Sequence, residues 1–254
     1  MSIKHTFIDL KLAFRFAWRK FGVPGYQIHQ IRLPQYRLIY IPIPKIGCTT
    51  IKQALHRMEF GTLFDSDAPG NEPYEDIHDF YKKRPGAFTG VKGLHSRQKT
   101  LCFTVIRDPV ERLVSCYRNR VVDLKDLESD REALESAGLP AEPDLNTFVL
   151  NLNRYRSVSS KIRHHTRPQF RFFAGDLSVA DYIFKMEEMD RVEMFLHKFD
   201  PSINLLHRKS GGTPVTLNDL SDEAMQHAIR FYRGDYELLR EYYKPPERAV
   251  KKRQ

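Results

Sequence analysis

The stretch Tyr36-Arg-Leu-Ile-Tyr-Ile-Pro-Ile43, running on into Pro44-Lys-Ile-Gly-Cys-Thr-Thr50, decides the fold class. Its first half is a short β-branched and aromatic run closed by prolines, which predicts a buried strand. Beyond the loop, Ile51, Ala54, Leu55 and Met58 fall at the spacing of a helix with one apolar face. The same unit recurs further on. Leu101-Cys-Phe-Thr-Val-Ile106 predicts a strand, Asp108 a helix N-cap and Pro109 the first helical position, while Val110, Leu113, Val114, Tyr117 and Val121 share one face. A third strand is expected at 181–186 and a helix at 192–199. Strands alternating with helices predict an α/β protein whose central sheet is mainly parallel, with the ligand crevice beyond the strands' carboxyl ends. Both loops open at that end.

The rest of the chain reads as one domain over 1–254. Residues 1–22 form an amphipathic basic pattern, with Ile3, Phe7, Leu10, Phe14, Ala17 and Phe21 at helical spacing. That stripe suits docking on the core or peripheral contact with a membrane. Residues 61–99 show no clear period and predict loops and short helices. Residues 123–143 predict an exposed, charged helical excursion, and a short helix should start at Asp144. One long helix is expected from a Ser221 cap through Leu239, stopped by Pro245, with a basic tail over 245–254.

Lys and Arg number 41 against 32 Asp and Glu in 254 residues, a net charge of +9. This surplus predicts an anionic partner: nucleic acid, a membrane surface, or a phosphorylated or sulfated small molecule. No run reaches the ~18 apolar residues of a membrane helix, and no signal peptide is apparent, so a cytoplasmic protein is expected. Cys48, Cys102 and Cys116 lack metal-ligand spacing and read as reduced thiols, so no metal site is indicated.

The first loop places Lys45, Gly47, Thr49 and Thr50 at a helix N-terminus, an anion cradle. It lacks the second Gly-Lys-Ser/Thr of the nucleoside-triphosphate loop. The plainer reading is that Thr49 or Thr50 caps the helix and Lys45 is a solvated charge. The second loop ends its strand at Arg107, with Ser115 about two helical turns on, where the pair could grip a second anion. Its plainer reading pairs Arg107 with Asp108 or Glu111.

Taken together, the two loops resemble the donor-binding elements of sulfotransferases. Pro44-Lys-Ile-Gly-Cys-Thr-Thr-Ile-Lys52 resembles their 5′-phosphosulfate loop, and Arg107-Asp-Pro-Val-Glu-Arg-Leu-Val-Ser-Cys-Tyr117 their 3′-phosphate element. The nearest in character is the Golgi-type carbohydrate family, with its chondroitin, dermatan and HNK-1 enzymes and, more distantly, the heparan 2-O type. His165-Thr-Arg-Pro-Gln169 is similar to that family's His-Trp-Arg-Pro-Gln, and 181–187 and 232–236 have counterparts. The membrane anchor and disulfides of Golgi members have no equivalent in this sequence, which suits a soluble, bacterial-type member.

The resemblance implies a P-loop-like three-layer fold and 3′-phosphoadenosine 5′-phosphosulfate (PAPS) as donor, without a metal. It implies that Lys45 holds the bridging oxygen and that Ile46, Gly47, Cys48, Thr49, Thr50 and Lys52 surround the 5′-phosphosulfate. Arg107 and Ser115 would bind the 3′-phosphate. For the base that a hydroxyl acceptor needs, His95 ranks first and His165 second, with His164 beside it, whereas His56 reads as structural. The implied acceptor is a carbohydrate or glycoconjugate, acidic or lipid-linked; Lys161, Arg163, Arg167 and Arg171 suit an acidic glycan and equally suit a solvated face or phosphate contacts in the donor site. Arg112 could serve packing. The rival readings are a nucleotide-dependent kinase, which would need a magnesium-binding acid, and a basic nucleic-acid-binding module, for which no recognition motif is present. The oligomeric state is left open.

Overall fold

A computed structural model describes residues 27–90, 100–205 and 214–247. The expected helix over 1–22, the base candidate His95 and the end of the basic tail lie outside the described residues. In chain order, the strands are β1 (Gln27–His29), β2 (Ile31–Leu33), β3 (Leu38–Ile41), β4 (Phe88–Gly90), β5 (Leu101–Ile106) and β6 (Tyr182–Lys185). The α-helices are α1 (Cys48–Phe60), α2 (Ile77–Lys83), α3 (Pro109–Cys116), α4 (Arg131–Ser136), α5 (Leu145–Leu150), α6 (Leu152–Val158), α7 (Ser160–His165), α8 (Met189–Leu196), α9 (Asp222–Phe231) and α10 (Arg233–Leu238).

Four strands form one sheet in the order β2-β3-β5-β6. β3 pairs parallel with β5 and β5 parallel with β6, while β2 adds antiparallel at the edge. All of β3 and all but the first residue of β5 are buried, as central strands covered on both faces must be. Tyr40 stands opposite Phe103 in the register, and their rings stack 4.9 Å apart. One apolar cluster surrounds the sheet and takes in Ile51 and Leu55 of α1 and Phe195 of α8. A second lies among the helices and holds Leu113, Phe148, Tyr155 and Met225. The alternating pattern thus produces the expected mixed α/β architecture with a small, mostly parallel sheet.

Three elements differ from expectation. β1 and β4 form a separate antiparallel ribbon, too short for a sequence period to reveal. The excursion after residue 123 is not wholly exposed, because Leu127 and Leu134 are fully buried. The single C-terminal helix is two helices that break at Tyr232. The break lets the Tyr232 hydroxyl donate to the Thr166 carbonyl at 2.9 Å and lets Asp235 accept from the amides of Gln169 and Phe170, both at 2.8 Å. Apolar spacing continues through that break, so the sequence pattern conceals it.

Candidate active site

The loop after β3 is shaped by two left-handed residues, Lys45 at φ 69° and Gly47 at φ 76°. A Cβ on Gly47 would lie 3.3 Å from Met186, so glycine answers both the backbone and the space there. Gly47 precedes the first turn of α1, and no side chain caps that end. Thr49 and Thr50 are therefore not the caps that the plainer reading supposed, and an uncapped helix start can dock an anion. Nor is Lys45 a solvated charge. Its Nζ donates to Asn119 Oδ1 at 2.6 Å, and burial lowers its pKa. Burial also lowers the pKa of Lys52 and raises that of the Cys48 thiol.

The loop after β5 is built as anticipated. Asp108 caps α3 by accepting from the amides of Val110 and Glu111 at 2.9 and 3.0 Å, and it also accepts from the Tyr236 hydroxyl. Asp108 is thereby unavailable to Arg107, which pairs instead with Glu111 at 3.7 Å and reaches the Lys45 carbonyl at 3.4 Å. The last contact ties the two loops together.

Arg112, fully buried, reinforces that tie. It donates to the carbonyls of Pro44, His165 and Arg167 at 3.4, 3.1 and 2.6 Å, which fastens the start of the first loop to the end of α7. It is a packing residue. After α3 the chain winds into a π-helical turn over Tyr117–Asp123, which carries Arg118, Asn119 and Arg120 to the same place.

The result is a cleft of about 1440 Å³. Lys45, Gly47, Cys48, Thr49, Thr50, Lys52, Arg107, Ser115, His164 and His165 all line it, whereas Ile46 points into the core. Eight Lys and Arg side chains face it against five Asp and Glu, a balance that favours anions. His165 Nδ1 donates to the Lys161 carbonyl at 2.9 Å, leaving Nε2 as the proton-accepting nitrogen. Burial, with the nearby Arg120, pushes its pKa down to about 3. The basic segment does not act as a unit: Arg167 and Arg171 line the cleft, but Lys161 pairs with Asp126 and Arg163 is exposed beside the Arg156 carbonyl. His56 is structural, its Nδ1 donating to the Thr62 carbonyl at 2.8 Å among Phe60, Phe64 and Phe80.

Two cleft residues carried no sequence signal. His78, on α2, lies in the stretch without periodicity, and Asn119 gains its position from the π-helical turn.

Two strand–loop–helix units present cations and a helix start to one cleft of an α/β protein, an arrangement suited to an anionic ligand. The chain matches the sulfotransferase family over residues 29–243 and belongs to that family, which makes it a transferase of sulfuryl groups. No curated protein and no solved structure matches it.

Proposed function

We propose that this enzyme transfers the sulfuryl group of PAPS to a hydroxyl of a carbohydrate or glycoconjugate, in the crevice of a P-loop-like three-layer fold. The observation that carries the reading is the Arg107–Lys45 contact, which fixes two cationic loops side by side in one cleft. A nucleotide with a 5′-phosphosulfate and a 3′-phosphate has two anionic ends for two such loops. Lys45, the Thr49 and Thr50 hydroxyls and the start of α1 would take the first end, and Arg107 with Ser115 the second. The acceptor oxygen attacks sulfur, the bond from sulfur to the bridging oxygen breaks, and charge builds on that oxygen, where Lys45 and the helix dipole meet it. Adenosine 3′,5′-bisphosphate leaves. No step requires a metal.

His165 offers Nε2 as base for the acceptor proton. Burial first, and then Arg120, holds its pKa low, and a multiply anionic donor would offset the cation's share of that shift. His95 is the alternative base. Arg167 and Arg171 would favour an acidic acceptor.

The test is sulfate transfer from labelled donor to a glycan panel, alongside calorimetric titration with adenosine 3′,5′-bisphosphate. Bisphosphate binding, and transfer that Lys45→Ala abolishes, support the reading; a wild-type protein with no affinity for the bisphosphate overturns it.

A further inference from the structure

His78, on α2, faces the N-terminal turns of α1. Asp76 caps α2 by accepting from the amides of His78 and Asp79 at 2.7 and 2.8 Å, which fixes where the ring projects. The ring's Nε2 lies 3.0 Å from Thr49 Oγ1 and its Nδ1 lies 3.0 Å from Lys52 Nζ. The ammonium of Lys52 sets the direction of both hydrogen bonds. An ammonium can only donate, so Nδ1 accepts from Lys52. A neutral ring has one N–H, which then resides on Nε2 and donates to Thr49. The Thr49 oxygen receives that bond, and its own proton must point elsewhere. Lys52 commits one of its three protons to the ring and keeps two for other partners. Burial and the charge of Lys52 lower the His78 pKa to about 4, so the ring is neutral near pH 7.

We propose that His78 is a positioning residue that orients the Thr49 hydroxyl and the Lys52 ammonium as donors toward the anionic end of the sulfuryl donor. The inference rests on the PAPS reading above. It also separates His78 from a base, since both ring nitrogens are already engaged.

The experiment measures bisphosphate affinity by calorimetry, together with donor KM and kcat, for wild type, His78→Ala, His78→Gln, Thr49→Val and the Ala/Val double variant. Gln presents an acceptor and a donor on one planar amide and so can keep the polarity of the chain. Expected are a roughly tenfold loss of bisphosphate affinity and a matching rise in donor KM for His78→Ala and for Thr49→Val, with kcat within about threefold of wild type. His78→Gln should recover most of the loss, and the double variant should lose much less than the product of the single losses. Thr49→Val leaves the ring in place, which keeps the test open if His78→Ala folds poorly. Bisphosphate affinity unchanged in both single variants, a fall in kcat with affinity intact in His78→Ala, or fully additive losses would each overturn the proposal. A wild type without bisphosphate affinity would instead remove the donor reading and this inference with it.

Discussion

Gln169 holds both main-chain groups of Arg107. Its Nε2 donates to the Arg107 carbonyl at 2.7 Å, and its Oε1 accepts from the Arg107 amide at 3.2 Å. Gln169 is fully buried, and its own amide donates to Asp235 on α10. The segment His165-Thr-Arg-Pro-Gln169 is therefore a brace for the loop that carries Arg107, and the C-terminal helices brace the segment in turn.

Gln169→Ala should release that loop. Two main-chain groups of a half-buried residue lose their partner, at up to roughly 1–3 kcal/mol each before relaxation. Bisphosphate affinity should drop about tenfold as Arg107 loses its fixed position, and the melting temperature should fall. A variant that binds the bisphosphate as tightly as wild type would show that Arg107 needs no brace.

What the sequence shows and what it hides follow from how local each feature is. The strand Leu101–Ile106, the Asp108 cap and Pro109 at the first helical position are all visible, because strand composition and capping are settled within a few residues. The loop over residues 44–50 is visible for the same reason. Gln169, Asp235 and His78 act across 62, 66 and 29 residues of chain, through contacts that no periodicity encodes. Asn119 owes its place to one irregular turn in a helix whose apolar spacing looks continuous.

Lys45 occupies a left-handed conformation that costs a non-glycine residue about 1–2 kcal/mol. Lys45→Ala and Lys45→Gly both remove the ammonium and should both abolish transfer. They should differ in stability. Glycine relieves the backbone strain that alanine keeps, so Lys45→Gly should melt a few degrees above Lys45→Ala. Equal melting temperatures would mean the loop relaxes without the side chain.

Arg112 buries its guanidinium among three carbonyls and lies 5.7 Å from the Tyr232 ring centre. Arg112→Ala leaves those carbonyls without their donor and should cost about 3–5 kcal/mol in urea denaturation. Arg112→Lys keeps the charge but not the planar fork, so its loss should fall between wild type and alanine. A lysine variant as stable as wild type would reduce the role of Arg112 to charge alone.

The buried titratable groups set how stability responds to acid. His29, His78 and His165 have pKa values lowered from 6.5 to about 3, 4 and 3, in each case chiefly by burial. Between about pH 4 and 6.5 the unfolded chain binds three protons that the folded chain refuses, so these groups make stability rise with pH. Asp235 works in the opposite direction. Burial raises its pKa from 3.8 to about 6, so between those values the folded state holds a proton that the unfolded state has lost. Near pH 5 the balance of these four groups is about two protons, a slope of a few kcal/mol per pH unit, with stability lost as the pH falls. Urea denaturation at closely spaced pH values from 4.5 to 7 measures that slope. His165→Gln should flatten it by about one proton, and Asp235→Asn should steepen it by about one. An unchanged slope in Asp235→Asn would show that the carboxyl is already ionised in the folded protein at pH 5, the charge of Arg112 and the Gln169 and Phe170 amides offsetting its burial.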